Sequence, residues 1–197
     1  HEHYSYFTVK PLVGFFKKLG MELIDVKPNL TKGGSMRCTL QLEGGCREIE
    51  DSVRGHIELE TEMGLHGSNS LEVFRGYQER IDKGKLEYRT LVDALKSEGK
   101  KIVGYGASAT STTLIYHYGM QNDFAYLVDD FSAKHNLFSP GAHIPVYESD
   151  HIYQDRPDVI VVLAWRYYEK IVQRHQGFLN DGGRIIVPLP EIHEVGI

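Results

Sequence analysis

An apolar pair, Ile102-Val103, enters Gly104-Tyr105-Gly106-Ala107-Ser108-Ala109, and a helix-compatible segment follows over 110–118. Glycines and small residues between a strand and a helix form the type of turn that sets backbone N–H groups against a phosphate. Gly104 would permit a tight turn. Gly106 would let the backbone approach a ligand, and Ala107 and Ala109 would keep the helix start close to the sheet. Ser108 would start the helix. A second apolar stretch, 124–128, ends in Asp129-Asp130. An acid about 20 residues beyond such a turn is where a ribose hydroxyl is met. Asp129 has a plainer alternative as a solvated acid at a strand end. Tyr105, between the glycines, faces a ligand or packs under the turn. Trp165 follows the run Val159–Leu163 and either stacks on a ring or caps the core.

A second chemical cluster opens the chain: His1-Glu2-His3-Tyr4-Ser5-Tyr6-Phe7. An imidazole beside a carboxylate suits removal of a proton next to a carbonyl. The same residues could equally be an exposed terminus without chemistry.

The elements that would position these residues divide the chain into three parts. In residues 1–45, Val9, Leu12, Val13, Phe16 and Leu19 recur at helical spacing, and Gly20 stops the helix. Met21–Val26 and Ser35–Leu42 read as strands, joined by a loop over 28–34. A helix and one hairpin bury little by themselves, so this part is expected to be the tail of something larger. Residues 46–98 read as a helical connector: Val73, Phe74, Tyr77, Ile81, Tyr88, Leu91, Val92 and Leu95 form a stripe of period near 3.6, interrupted over 64–70. Residues 99–197 alternate strand and helix, with strands expected at 101–105, 124–128, 145–147, 159–163 and 184–187 and helices at 108–118 and 166–180. That alternation predicts an α/β unit, a Rossmann-like parallel sheet flanked by helices, with its ligand at the carboxyl ends of the strands.

Composition narrows the function classes. The 197 residues carry a net charge of −5, without a basic block, which argues against a nucleic-acid partner. The longest apolar run is far too short to span a bilayer, so no membrane association is expected. Cys38 and Cys46 have neither metal-ligand spacing nor a disulfide framework, and a cytoplasmic setting is the expectation.

Taken in order, His1–Thr8 (HEHYSYFT), Gly33–Leu40 (GGSMRCTL), Gly104–Leu114 (GYGASATSTTL), Ser139–Val146 (SPGAHIPV), Leu163–Ile171 (LAWRYYEKI) and Gly182–Val195 (GGRIIVPLPEIHEV) resemble the sugar C-methyltransferases, over nearly the whole chain. The resemblance implies an enzyme that uses S-adenosylmethionine to methylate a nucleotide-linked keto-deoxysugar. It implies three domains: a zinc-binding one, a central S-adenosylmethionine one, and a Rossmann-like one at the C-terminus. This sequence matches the end of the second and all of the third. Residues 1–45 then close the methyltransferase sheet and 99–197 help to bind the sugar nucleotide. The zinc and S-adenosylmethionine domains would be missing partners, and this chain alone would be inactive and hold neither metal nor cofactor. His3 would be the base that removes the proton beside the sugar ketone, with Glu2 orienting it. Tyr105, Gly106, Ala107, Ser108, Asp129 and Trp165 would contact the substrate. The alternatives are an NAD(P)-binding oxidoreductase domain, on the strength of the glycine turn and Asp129, and a non-catalytic nucleotide-binding module. Self-association stays open.

Overall fold

A computed structural model of the chain describes residues 5–31 and 34–195. It divides into two compact units, with the boundary at Glu79/Arg80.

The first unit contains α1 (Val9–Lys17), β1 (Met21–Asn29), β2 (Ser35–Leu42), α2 (Asp51–Glu62) and the start of α3 (Ser70–Ser97). β1 and β2 pair antiparallel with an irregularity between Leu23 and Asp25. β1 runs three residues beyond its expected end at Val26. The two helices lie against this hairpin, and Val9, Leu23, Val26 and Val53 make a small core. Glu60 ties the unit together. Thr8 gives α1 no side-chain cap, and the Glu60 carboxylate instead accepts the N–H groups of Val9 and Lys10 and a contact from His66 Nε2 at 2.8 Å. A carboxylate there satisfies backbone donors that every helix start leaves open. The interruption expected over 64–70 separates α2 from α3.

The second unit holds the remainder of α3, then β3 (Ile102–Tyr105), α4 (Ala109–Tyr118), β4 (Leu127–Asp129), β5 (Leu137–Phe138), β6 (Pro145–Glu148), α5 (His151–Asp155), β7 (Val159–Val162), α6 (Tyr168–Arg174), α7 (Gln176–Asn180), β8 (Arg184–Val187) and β9 (His193–Val195). Seven strands form one sheet in the order β5-β6-β4-β3-β7-β8-β9. The inner five are parallel and the two edge strands antiparallel. This is the Rossmann-like α/β arrangement the alternation predicts. β3 and β7 are neighbours, while β4 and β6 continue on the other side of β3. That reversal of strand order is where open α/β sheets hold ligands.

Burial explains the strands. β3 and β7 are buried along their whole length, as a central parallel sheet covered on both faces requires. One core contains Tyr88, Val92 and Leu95 from α3, Leu114 and Ile115 from α4, and Ile102 and Val161 from the sheet. A second contains Val103, Val128, Ile160, Val162, Ile171 and Phe178. Gly104 lies within β3 and not at a turn. A Cβ there would come within 2.5 Å of Leu127 and 3.0 Å of Leu163, so its role is close strand packing. The helix expected over 166–180 is a 3₁₀ turn (Trp165–Tyr167) and two short helices that meet at His175.

Candidate functional site

The turns that leave β3 and β7 touch. Gly106 adopts φ +108, and a Cβ on it would lie 2.8 Å from Ala164 Cβ. Ala164 N–H donates to the Tyr105 carbonyl at 3.0 Å. Only glycine permits both the backbone conformation and the approach. A cleft of about 490 Å³ opens over this contact, lined by Tyr105, Gly106, Ser108, Asp129, Asp130, Trp165, Arg166, Lys170 and Arg174 among others.

Five of the six residues predicted to contact substrate therefore line one cleft, and the sixth, Ala107, lies within the same turn. His1, Glu2 and His3 lie outside the described residues. The Gly106 N–H is spent on Val128 O at 2.7 Å, and that of Ala107 on Asp129 Oδ2, also at 2.7 Å. Ser108 caps α4 by accepting the Ser111 N–H at 3.1 Å. The N–H groups of Ser108 and Ala109 have no backbone acceptor among the described residues, as expected at a helix start. Trp165 packs partly against the core, and the Arg166 guanidinium sits 5.2 Å from its ring centre.

Asp129 is buried and fully engaged. Oδ2 accepts from Ala107 N–H and Lys134 Nζ (2.9 Å), and Oδ1 accepts from Phe131 N–H (2.9 Å). Burial raises its pKa, but these donors outweigh burial and hold the carboxyl below its usual range. Its observed role is to clamp the glycine turn to the end of β4.

Sequence reasoning missed Arg166, Lys170 and Arg174. They recur every four residues after a buried strand end, Arg166 in the 3₁₀ turn and Lys170 and Arg174 in α6, and all three line the cleft. Arg174 is engaged by Asp130 at 2.6 Å and by Asp150 at 3.7 Å. Arg166 and Lys170 have no carboxylate partner among the described residues. Two cations without a carboxylate partner among the described residues, an open helix start and an aromatic ring thus face one cleft, groups whose chemistry suits an anion attached to a flat ring.

Beneath the cleft lies His175, only 1% exposed. Burial, and then the adjacent Arg174, hold its pKa below the ordinary 6.5. The folded chain thus binds this proton less readily than the unfolded chain. The stability attached to His175 is complete above its unfolded pKa and is lost as pH falls below about 6.5. Asp123 and Asp129, both held low, add losses only below about pH 4. Thermal unfolding followed from pH 7.5 to 5 should show a falling midpoint in the wild type and a flatter profile in His175→Gln. Equal slopes would contradict this.

No group of three or more His, Cys, Asp and Glu among the described residues is placed to hold a metal ion. None of the helices, among the described residues, is long and apolar enough to cross a membrane.

Residues 30–190 match the family described as the C-methyltransferase C-terminal domain. A curated relative, C-methyltransferase NovU of Streptomyces niveus, is 29% identical over 192 residues, which cover 97% of this chain and 45% of that protein. The chain thus spans about half the length of the curated relative it matches. Among solved structures, UDP-D-quinovosamine 4-dehydrogenase from Vibrio fischeri aligns at a TM-score of 0.37 with 16% identity, covering 50% of this chain and 94% of that one.

Proposed function

Because the chain belongs to the C-methyltransferase C-terminal domain family, we propose that its cleft binds the nucleotide diphosphate of a keto-deoxysugar substrate, within an S-adenosylmethionine-dependent C-methyltransferase. The observation that carries this reading is the pair of unpaired cations, Arg166 and Lys170, beside the open start of α4. A diphosphate supplies the negative charge both call for, and Trp165 offers a face for a base. Arg166 and Lys170 suit a diphosphate better than S-adenosylmethionine, whose net charge is positive.

In the intact enzyme S-adenosylmethionine supplies an electrophilic methyl group, held by protein outside this chain. The chain's own contribution is to fix the substrate. Arg166, Lys170 and the N–H groups of Ser108 and Ala109 hold the phosphates. Glu2 orients His3, and His3 takes the proton beside the ketone. The oxidoreductase alternative shares the need for a diphosphate site, but the family match favours methyl transfer.

Calorimetric titration of the chain with UDP-glucose, dTDP-glucose, GDP-mannose, NAD and S-adenosylmethionine tests the reading. Nucleotide sugars should bind and S-adenosylmethionine should not. Arg166→Ala and Lys170→Ala should each weaken the nucleotide sugar about tenfold, the usual size for a charge-assisted contact, and raised salt should weaken it further. Tight S-adenosylmethionine binding without nucleotide-sugar binding would overturn the reading.

A further inference from the structure

Asp129 ends the strand at the spacing where a ribose acid is sought, yet both its oxygens are engaged by the protein itself. Its neighbour is arranged differently. Asp130 lines the same cleft with a side chain 52% exposed. Its Oδ1 accepts from Tyr105 Oη at 2.9 Å and from Arg174 Nη1 at 2.6 Å. Its Oδ2 receives no hydrogen bond from any described residue. A carboxylate oxygen left open in a cleft, on a side chain already held at its other oxygen, is a ready acceptor for a hydroxyl.

The hold on Asp130 reaches into the core. A carboxylate has no proton to give, so Tyr105 must donate to it. Burial, and then Asp130, keep that hydroxyl protonated far above its ordinary range. Having donated, the Tyr105 oxygen can accept, and His175 Nε2 lies 3.2 Å away. The imidazole proton therefore sits on Nε2. Nδ1 is left as an acceptor, and Tyr153 Oη stands 3.0 Å from it. The opposite tautomer would set two lone pairs against each other, between Nε2 and Tyr105 or between Tyr105 and Asp130. One directed chain of hydrogen bonds thus runs from Tyr153 through His175 and Tyr105 to Asp130. The charged groups around it are Arg174 from α6, Asp150 before α5 and, near Tyr153, Asp181 after α7.

Resting on the reading that a nucleotide sugar occupies this cleft, we propose that Asp130, rather than Asp129, receives a ring hydroxyl of that ligand, and that His175 is the positioning residue that turns the Tyr105 hydroxyl toward Asp130. The hydroxyl belongs to the ribose or to the hexose, and both present the same chemistry.

The test uses the whole chain with UDP and UDP-glucose as probes in calorimetric titration. Asp130→Asn removes the charge at an exposed position and should fold normally. It should weaken binding about tenfold, the scale of a hydrogen bond to a charged group. Equal loss for UDP and UDP-glucose assigns the ribose, and loss for UDP-glucose alone assigns the hexose. His175→Leu should weaken binding several-fold, and His175→Gln, whose amide N–H can replace the Nε2–H, should recover most of it. Nitrogen-15 NMR of the wild type at pH 7 should find the His175 proton on Nε2. Wild-type binding matched by Asp130→Asn would overturn the hydroxyl assignment alone. A proton on Nδ1 would overturn the role of His175. Failure of the wild type to bind either probe would overturn this inference together with the reading it rests on.

Discussion

Asp123→Ala should lower the stability of the sheet-bearing unit by about 3 kcal/mol, near the bottom of the range for breaking a buried charge pair. The Asp123 side chain is 2% exposed. It accepts two hydrogen bonds from Arg89, both at 2.9 Å, one from Lys96 at 2.6 Å and one from Tyr88 Oη at 3.1 Å. These contacts fasten α3 to the segment that leads into β4. Arg89 and Lys96 are about a third exposed, so they can turn to water once the carboxylate is gone, which keeps the loss from being larger. Tyr88 cannot turn away. It is fully buried, and its hydroxyl would stand without an acceptor. For a unit of this size the thermal midpoint should drop on the order of 10 °C. Lys96→Ala should cost less than about 1 kcal/mol, because the carboxylate keeps Arg89. An Asp123→Ala midpoint within a degree or two of wild type would show that these contacts do not hold the unit.

The second large effect concerns proton removal. In the intact enzyme, His3→Asn should lower kcat by about 10²–10⁴, the contribution of a placed general base. The affinity for the nucleotide sugar should hardly change, because its phosphates are expected to be held by Ser108, Arg166 and Lys170 and not by His3. Exchange of solvent deuterium into that carbon should slow in parallel, since exchange needs the base and not the methyl donor. Turnover within a few-fold of wild type would move the role to His1 or to a residue outside this chain. The assignment rests on the order of motifs from His1 to Val195, since His3 lies outside the described residues.

The strand–turn–helix of Lys101–Tyr118 was legible because several signals coincide: an apolar run, two glycines, small residues after them and a helix-compatible segment. β4 was expected over 124–128 and occupies Leu127–Asp129. Ala125 and Tyr126 still bond to Ile102 and Gly104, so the difference lies in the regularity of the ladder. β5 and β9 have two and three residues and pair antiparallel with their chain neighbours β6 and β8; runs so short carry no alternating pattern to read. α5 lies between the strands expected at 145–147 and 159–163, where no helix was expected. It ends at Arg156, which adopts φ +52 just before Pro157. The break at His175 lies two residues before Gly177, at a buried ring that reaches both Tyr105 and Tyr153.

The same distinction applies to the cleft. Its glycine turn was legible because glycine marks close approach. The division of labour between Asp129 and Asp130 was not, because adjacent acids at a strand end look alike until their donors are known. The cations at 166, 170 and 174 were open to view at helical spacing, but a run of charge on a helix is usually a solvated face. Their meaning depends on the turn after β3 lying against the turn after β7.

Hydrogen exchange of the whole chain with and without saturating dTDP-glucose tests the central claim most directly. Backbone amides in 104–111 and 163–174, the two turns that meet in the cleft, should exchange more slowly with the ligand present, while those of the β1–β2 hairpin should be unchanged. Protection confined to the hairpin or absent from both cleft segments would contradict a sugar-nucleotide site at this end of the sheet.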